Sequence, residues 1–330
     1  MKGLKIVATG RYVPDTAVTN DDMAKLVDTN DEWISSRTGI RQRRLAAGEP
    51  TSFMAVEAAK RALEAFSGEA EEIDLIVCST ITPDFHTPSV ACLVARALGL
   101  KGAAAFDVSA ACSGFVYALD IAQKYLETGA AKTALVLSAE TLSHITNFED
   151  RSTCVLFGDG AGACIVQPSD GRYASILGAD AETAHVLYAT IPYPPTPFEK
   201  EEALAKGRAF EVVNDGFIHM DGTEVYKFST EAMPACIQAA CEKLGVQPEA
   251  LGLIIPHQAN LRIVRTAMKR LGLPEDRAYL NIDRYGNTSS ASIPLALDEA
   301  NQEGRLQPGS LVALVGFGAG LTYGCALFSW

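Results

Sequence analysis

The spacing of apolar positions alternates amphipathic, alanine-rich helical stretches with short, uniformly apolar runs, as in an α/β protein whose strands are buried on both faces. The run from Met1 to Gly10 reads as a first strand. From Met54 to Ser79 the pattern is a helix followed by a strand at Asp74-Leu-Ile-Val-Cys-Ser79. The same order returns from Glu231 to His257, ending in Gly252-Leu-Ile-Ile-Pro-His257. Leu75 and Leu253 are 178 positions apart, and Ala118-Leu-Asp120 repeats as Ala296-Leu-Asp298 at the same separation. In each copy the helix stops near a glycine, Gly129 or Gly304, and the chain enters another apolar run, Lys132 to Ser138 or Ser310 to Gly316. Two duplicated α/β halves, 1–170 and 171–330, follow from this repeat. Between them Ala181 to Gly222 carries Pro192, Pro194, Pro195 and Pro197 and the charged Glu199-Lys-Glu-Glu202, and reads as a surface excursion.

Composition narrows the function classes. With 330 residues and 48% hydrophobic content, the chain has material for roughly two domain-sized units and a large core. Its net charge of −12 disfavours a nucleic-acid partner, so an acidic partner would need a local basic patch. No run approaches the length of a membrane span, and the apolar start is too short for a signal peptide. The eight cysteines form no CxxC pair and read as reduced thiols in the cytoplasm.

Cys112 is the position that turns this scaffold toward chemistry. In Asp107-Val-Ser-Ala-Ala-Cys-Ser-Gly-Phe115 a small-residue turn feeds into an apolar helix. Free amide N–H groups and the positive end of a helix dipole lower a thiol from about 8.5 toward roughly 3.5–7.5, so the expectation is an activated nucleophile. His257 stands where an apolar strand ends in a polar turn, the side of an open α/β sheet where ligands gather. Asn287 precedes the helix carrying the second Ala-Leu-Asp, so the repeat brings it opposite the start of the Cys112 helix. Cysteine, histidine and asparagine also form a papain-like site, and Cys112 and His257 are 145 residues apart. The Cys-Gly-Ser-Cys-Trp signature of that family is absent, and a duplicated α/β order is foreign to it. Of two glycine-rich loops, Gly158-Asp-Gly-Ala-Gly162 reads as close packing at a turn. Gly316-Phe-Gly-Ala-Gly320 could place a backbone N–H near the nucleophile.

Taken in order, these segments resemble the β-ketoacyl-acyl carrier protein synthase III family of the thiolase superfamily over essentially the whole chain. The matching stretches are Asn30-Asp-Glu-Trp-Ile through Arg37-Thr-Gly-Ile40, Ala-Ala-Cys-Ser-Gly-Phe, Asp150-Arg151 through Phe157-Gly-Asp-Gly-Ala-Gly162, Pro256-His-Gln-Ala-Asn-Leu-Arg262, Gly286-Asn-Thr-Ser289 and Gly316-Phe-Gly-Ala-Gly320. The resemblance implies a thiolase-like α-β-α-β-α fold of five layers. It implies decarboxylating condensation of an acyl-CoA primer with malonyl-acyl carrier protein, initiating fatty-acid synthesis, in a cytoplasmic homodimer without metal or cofactor. Cys112 would be the acylated nucleophile, His257 and Asn287 the donors to the malonyl thioester oxygen, and the Cys112 and Ala319 N–H groups the oxyanion hole. Trp33 and Arg37 would sandwich the CoA adenine, with Arg151 on that side and Asn260 near the pantetheine arm. Arg262, Arg265, Lys269 and Arg270, with Lys227, would dock the acidic carrier protein.

Departures from the family pattern sharpen these expectations. Ala319 and Ser290 stand where many members have glycine and alanine. Thr87, in Phe85-His-Thr-Pro-Ser89, stands where members restricted to short primers have a phenylalanine that plugs the neighbouring subunit's acyl tunnel, so a primer longer than acetyl is expected. The elongating synthases have a second histidine in place of Asn287, and hydroxymethylglutaryl-CoA synthase needs a catalytic carboxylate. A relative that accepts malonyl-CoA directly in specialised metabolism is the competing enzyme. A non-catalytic acyl-binding protein would lack the fast, acyl-CoA-protected alkylation at neutral pH expected of Cys112.

Overall fold

The computed structural model describes residues 3–194, 196–198 and 210–330, so Pro195 and the charged stretch beginning at Glu199 lie outside the described residues. Residues 3–169 build a sheet from β1 (Gly3–Tyr12), β2 (Leu75–Ser79), β3 (Ala104–Val108), β4 (Ala134–Glu140) and β5 (Gly160–Ser169), in the order β1-β5-β4-β2-β3. Residues 173–329 build a second from β6 (Tyr173–Ala179), β7 (Leu251–Pro256), β8 (Leu311–Gly318) and β9 (Thr322–Ser329), in the order β7-β8-β9-β6. The run β2-β4-β5-β1 is thus matched by β7-β8-β9-β6, with one parallel pair and then two antiparallel pairs in each. Where β3 lies beside β2, the second sheet has an isolated parallel bridge between Ile254 and Ala278.

Helices complete five layers. Outside the first sheet lie α2 (Thr51–Glu64) and α3 (Val90–Ala97); between the sheets lie α4 (Gly114–Thr128) and α7 (Ser292–Gln302); outside the second lie α5 (Gly222–Leu244) and α6 (Leu261–Leu271). Helix α2 buries Met54, Ala55, Ala58, Ala59 and Ala62, one face at helical spacing whose small side chains let strand and helix backbones approach closely. The central helices are buried nearly all round: Phe115, Leu119 and Leu126 of α4 and Ile293, Leu297 and Ala300 of α7 join the core shared by both sheets, and Asp120, Gln123, Asp298 and Glu299 are buried as well. The two central helices therefore start side by side in the middle of the molecule.

The predicted strands sit within about two residues of the observed ones. The helix before β7 does not: it begins at Gly222, nine residues ahead of Glu231, because Asp221 caps it by accepting from the Thr223 and Glu224 N–H groups. The excursion is also more than a surface loop. Leu187–Ala189 pairs antiparallel with Ile218–Met220, and this ribbon brings Leu187 and Met220 against the central pocket.

Candidate active site

Cys112 lies in a tight turn, Ala111–Ser113, that leads into α4. Its mirror is the turn Ser289–Ala291 leading into α7. Ala111 and Ser289 hold left-handed backbone angles, φ 46° and 50°, and are 178 positions apart, so the repeat reaches even this strained geometry. The backbone of β8 closes over Cys112: a Cβ on Gly318 would stand 2.5 Å from the Cys112 nitrogen, so only glycine fits there. Ala319 follows at once, opening a turn over Ala319–Leu321.

His257 follows β7, with its N–H bonded to the Val315 carbonyl at 2.8 Å. Its Nδ1 meets Ser292 Oγ at 2.7 Å, and Phe317 stands edge-on to its ring with centroids 5.4 Å apart. Ser292 Oγ also accepts from the Gln258 N–H at 3.3 Å. Burial drops the imidazole to about 3, so the ring is neutral at physiological pH. Asn287 is fixed by its N–H to the Leu156 carbonyl, by the Gly158 N–H to its own carbonyl, and by the Ser289 N–H to its Oδ1 at 2.9 Å. With Oδ1 engaged, the amide Nδ2 is the group left for the cavity. Cys112, His257, Asn287 and Asn260 share one pocket, walled by Phe157, Leu187, Met220, Phe228 and Phe317 among others.

The expectation of a depressed thiol is corrected. Burial pushes the Cys112 thiol up to about 12, against a smaller lowering by the neighbouring Ser289 hydroxyl, and the Glu140 carboxylate adds to the rise. Among the described residues no cation offsets this, since His257 is neutral, so the resting pair is thiol and imidazole rather than thiolate and imidazolium. The sulfur stays protonated below its raised value, so alkylation of the resting enzyme should accelerate roughly tenfold per pH unit from about pH 7 to 10. A rate that already levels off near neutrality in a stopped alkylation series would contradict that.

The remaining candidates lie apart from the sulfur. Trp33 is half-buried on α1 (Asp31–Thr38), capped by Asn30 Oδ1 accepting from the Trp33 N–H. The Arg151 guanidinium lies 4.4 Å and that of Arg37 5.1 Å from the Trp33 ring centroid, so Arg151 is the nearer cation. Arg262, Arg265, Lys269 and Arg270 all lie on the exposed face of α6, opposite the buried Ile263, Val264, Ala267 and Met268. Two members of the predicted docking set are already paired, Arg265 with Glu275 and Lys227 with Glu224, and Arg270 donates to the Thr230 carbonyl. Arg262 and Lys269 make no ion pair among the described residues. Thr87 is exposed and does not line the pocket. Gly162 fulfils the packing reading of its loop, since a Cβ there would come within 2.7 Å of the Pro294 backbone.

The apolar walls were not singled out from the sequence. Phe157 and Phe317 lie inside motifs that were, but nothing in their spacing points their rings at a cavity. A 3-Oxoacyl-[acyl-carrier-protein (ACP)] synthase III family model matches residues 106–184, and the C-terminal model of the same family matches 241–330. Beta-ketoacyl-[acyl-carrier-protein] synthase III of Clostridium acetobutylicum is 46% identical over 332 residues, covering 100% of this chain and 99% of its own length. The chain belongs to the β-ketoacyl-acyl carrier protein synthase III family. Its members are acyltransferases, the initiating condensing enzymes of fatty-acid synthesis. Among solved structures, the Aquifex aeolicus synthase III is 44% identical with a TM-score of 0.90, covering 99% of this chain and 100% of that one. The Thermus thermophilus synthase III is 42% identical with a TM-score of 0.89, covering 98% of each chain. No described helix of this synthase is long and apolar enough to cross a membrane.

Proposed function

We propose that the pocket carries out both half-reactions of a priming condensation. Cys112 sulfur attacks the thioester carbon of an acyl-CoA; the new C–S bond replaces the bond to CoA, and the thiol proton ends on the departing CoA sulfur. The tetrahedral oxyanion is held by the Cys112 and Ala319 N–H groups. Malonyl-acyl carrier protein then loses carbon dioxide, and the electron pair of the broken C–C bond passes into an enolate whose oxygen accepts from His257 Nε2–H and Asn287 Nδ2. The enolate carbon attacks the acyl-Cys112 carbonyl, a C–C bond forms, and the sulfur leaves to be reprotonated. The supporting observation is the meeting of Cys112, His257 and Asn287 in one apolar-walled pocket. Ser292 Oγ, accepting from Gln258, has its own proton to give to His257 Nδ1, which keeps the proton on Nε2 where the enolate needs it. Neutral donors suit an enolate because they bring no competing anion.

Trp33 with Arg151 and Arg37 forms the adenine clamp, Asn260 lies along the pantetheine arm, and Arg262 and Lys269 are the first contacts of the carrier protein. The working unit is a homodimer, a reading supported by the exposed Phe53, Phe85 and Tyr193. Eight free thiols suit the reducing cytoplasm, and the substrates bring the only CoA and carrier groups the chemistry requires. Incubation with malonyl-acyl carrier protein and mixed acyl-CoAs, read by mass, should give β-ketoacyl-carrier products. Products formed only with malonyl-CoA would instead favour the specialised-metabolism enzyme.

Thr87 leads to a separate expectation for the primer. Reaching from one subunit toward its partner's acyl tunnel, it would leave space that phenylalanine closes, so kcat/KM for C4–C10 acyl-CoAs should exceed that for acetyl-CoA by about tenfold or more. Thr87→Phe should reverse the order, and an acetyl preference in the unmodified protein would refute the assignment.

A further inference from the structure

The repeat that pairs Ala111 with Ser289 also pairs Cys112 with Ser290, again 178 positions apart. One central helix therefore begins at a nucleophile and the other at a hydroxyl of the same address. Unlike Cys112, Ser290 is not among the residues lining the pocket. Its Oγ donates to Glu140 Oε1 at 2.6 Å, and both residues are fully buried. Glu140 ends β4 in the first half of the chain, whereas Ser290 belongs to the second. The other carboxylate oxygen accepts from the Ile81 N–H at 3.0 Å, the Thr82 hydroxyl at 2.8 Å and the Thr80 hydroxyl at 3.3 Å. Thr82 Oγ1 itself accepts from the Thr141 N–H, which leaves its proton for Glu140. Each of these neighbours donates; burial pushes the Glu140 carboxyl up, and the donors work against that by stabilising its charged form. No basic side chain pairs with Glu140 among the described residues. Such a group is costly to bury unless each of its acceptor sites is filled, so the Ser290 bond is held firmly.

The turn that carries Ser290 also carries the Ser289 N–H that fixes Asn287 Oδ1. We propose that Glu140 is a positioning residue of the condensation step: through Ser290 it clamps the strained Ser289–Ala291 turn of one half onto β4 of the other, and so aims the Asn287 amide into the pocket. The inference rests on the enolate-binding role given to Asn287 above. Its main effect falls on the second half-reaction: Cys112 is carried by its own turn and covered by β8, and Ser289 and Glu140 bear on it only by lowering and raising the thiol.

Ser290→Ala installs the residue that many family members carry at this position, so it tests whether this chain depends on a contact they lack, and it removes the clamp with little change of volume; Glu140→Gln removes the charge that draws the donors together. Each should lower kcat for condensation about tenfold, the scale expected of a slightly misaimed donor, with KM for malonyl-acyl carrier protein unchanged. The burst of Cys112 acylation by acyl-CoA, read by intact mass on a rapid-quench time course, should keep its rate and amplitude in Ser290→Ala and should be no slower in Glu140→Gln, which removes one cause of the raised thiol. The double variant should be no slower than the worse single one, because both changes break the same link. A full condensation rate in Ser290→Ala, with or without a lower Tm, overturns the proposal, as does equal loss of acylation and condensation. If the unmodified protein acylates but makes no β-ketoacyl product, the functional reading fails instead.

Discussion

Cys112→Ala should carry no acyl group after incubation with acyl-CoA, and its condensation rate should fall by roughly 10⁴-fold or more. The loss is this large because the covalent intermediate has no substitute: Cys112 is the cysteine that lines the pocket, and burial keeps Cys78, Cys164 and Cys325 protonated and away from it. Decarboxylation of malonyl-acyl carrier protein should survive in this variant, since on the proposed mechanism it draws on His257 and Asn287. Intact-mass analysis separates the two effects: an acyl adduct on the variant, or condensation within about tenfold of the parent, would show that Cys112 is not the carrier.

Asn287→Ala and His257→Ala should show the opposite division. Each removes one donor to the enolate oxygen, a loss of roughly 10²–10³-fold in condensation, or about 3–4 kcal/mol of barrier. Acylation of Cys112 should proceed in both, so the variants should accumulate acyl-enzyme. The pH dependence carries a second signature. His257 keeps its neutral form at every pH above about 3, so the decarboxylation step should not titrate through an imidazole between about pH 5 and 8. The sign is fixed by burial: a lowered value means that acid, not neutrality, is where the neutral donor is lost. A break in the malonyl-acyl carrier protein decarboxylation rate near pH 6.5 that vanishes in His257→Ala would contradict the neutral-donor assignment.

Much of the architecture was legible because the chain says it twice. A constant separation between Leu75 and Leu253, and between Ala118 and Ala296, already implied two sheets of one order and two helix starts facing each other. The trio of Cys112, His257 and Asn287 followed from where those elements end. What the chain could not convey was how tightly the centre is covered. A helix start in water lowers a thiol, yet here Gly318 of β8, more than 170 residues away in sequence, closes over the Cys112 backbone and the thiol is buried. Desolvation then outweighs the dipole. The ribbon of Leu187 and Met220 was hidden for a similar reason: segments of three residues carry little periodicity, and only pairing across the excursion turns them toward the pocket. The Glu224–Lys227 pair was hidden too, because residues three apart are neighbours only on a helix, and this one starts nine residues ahead of the point the pattern marks.

The mirrored turns also set a stoichiometry. A scaffold with two equivalent helix starts could have held two loading stations, but the second has spent its hydroxyl on a carboxylate across the molecule. On the proposed mechanism acyl transfer and condensation both take place at Cys112, so the doubled framework carries one loading point for each chain.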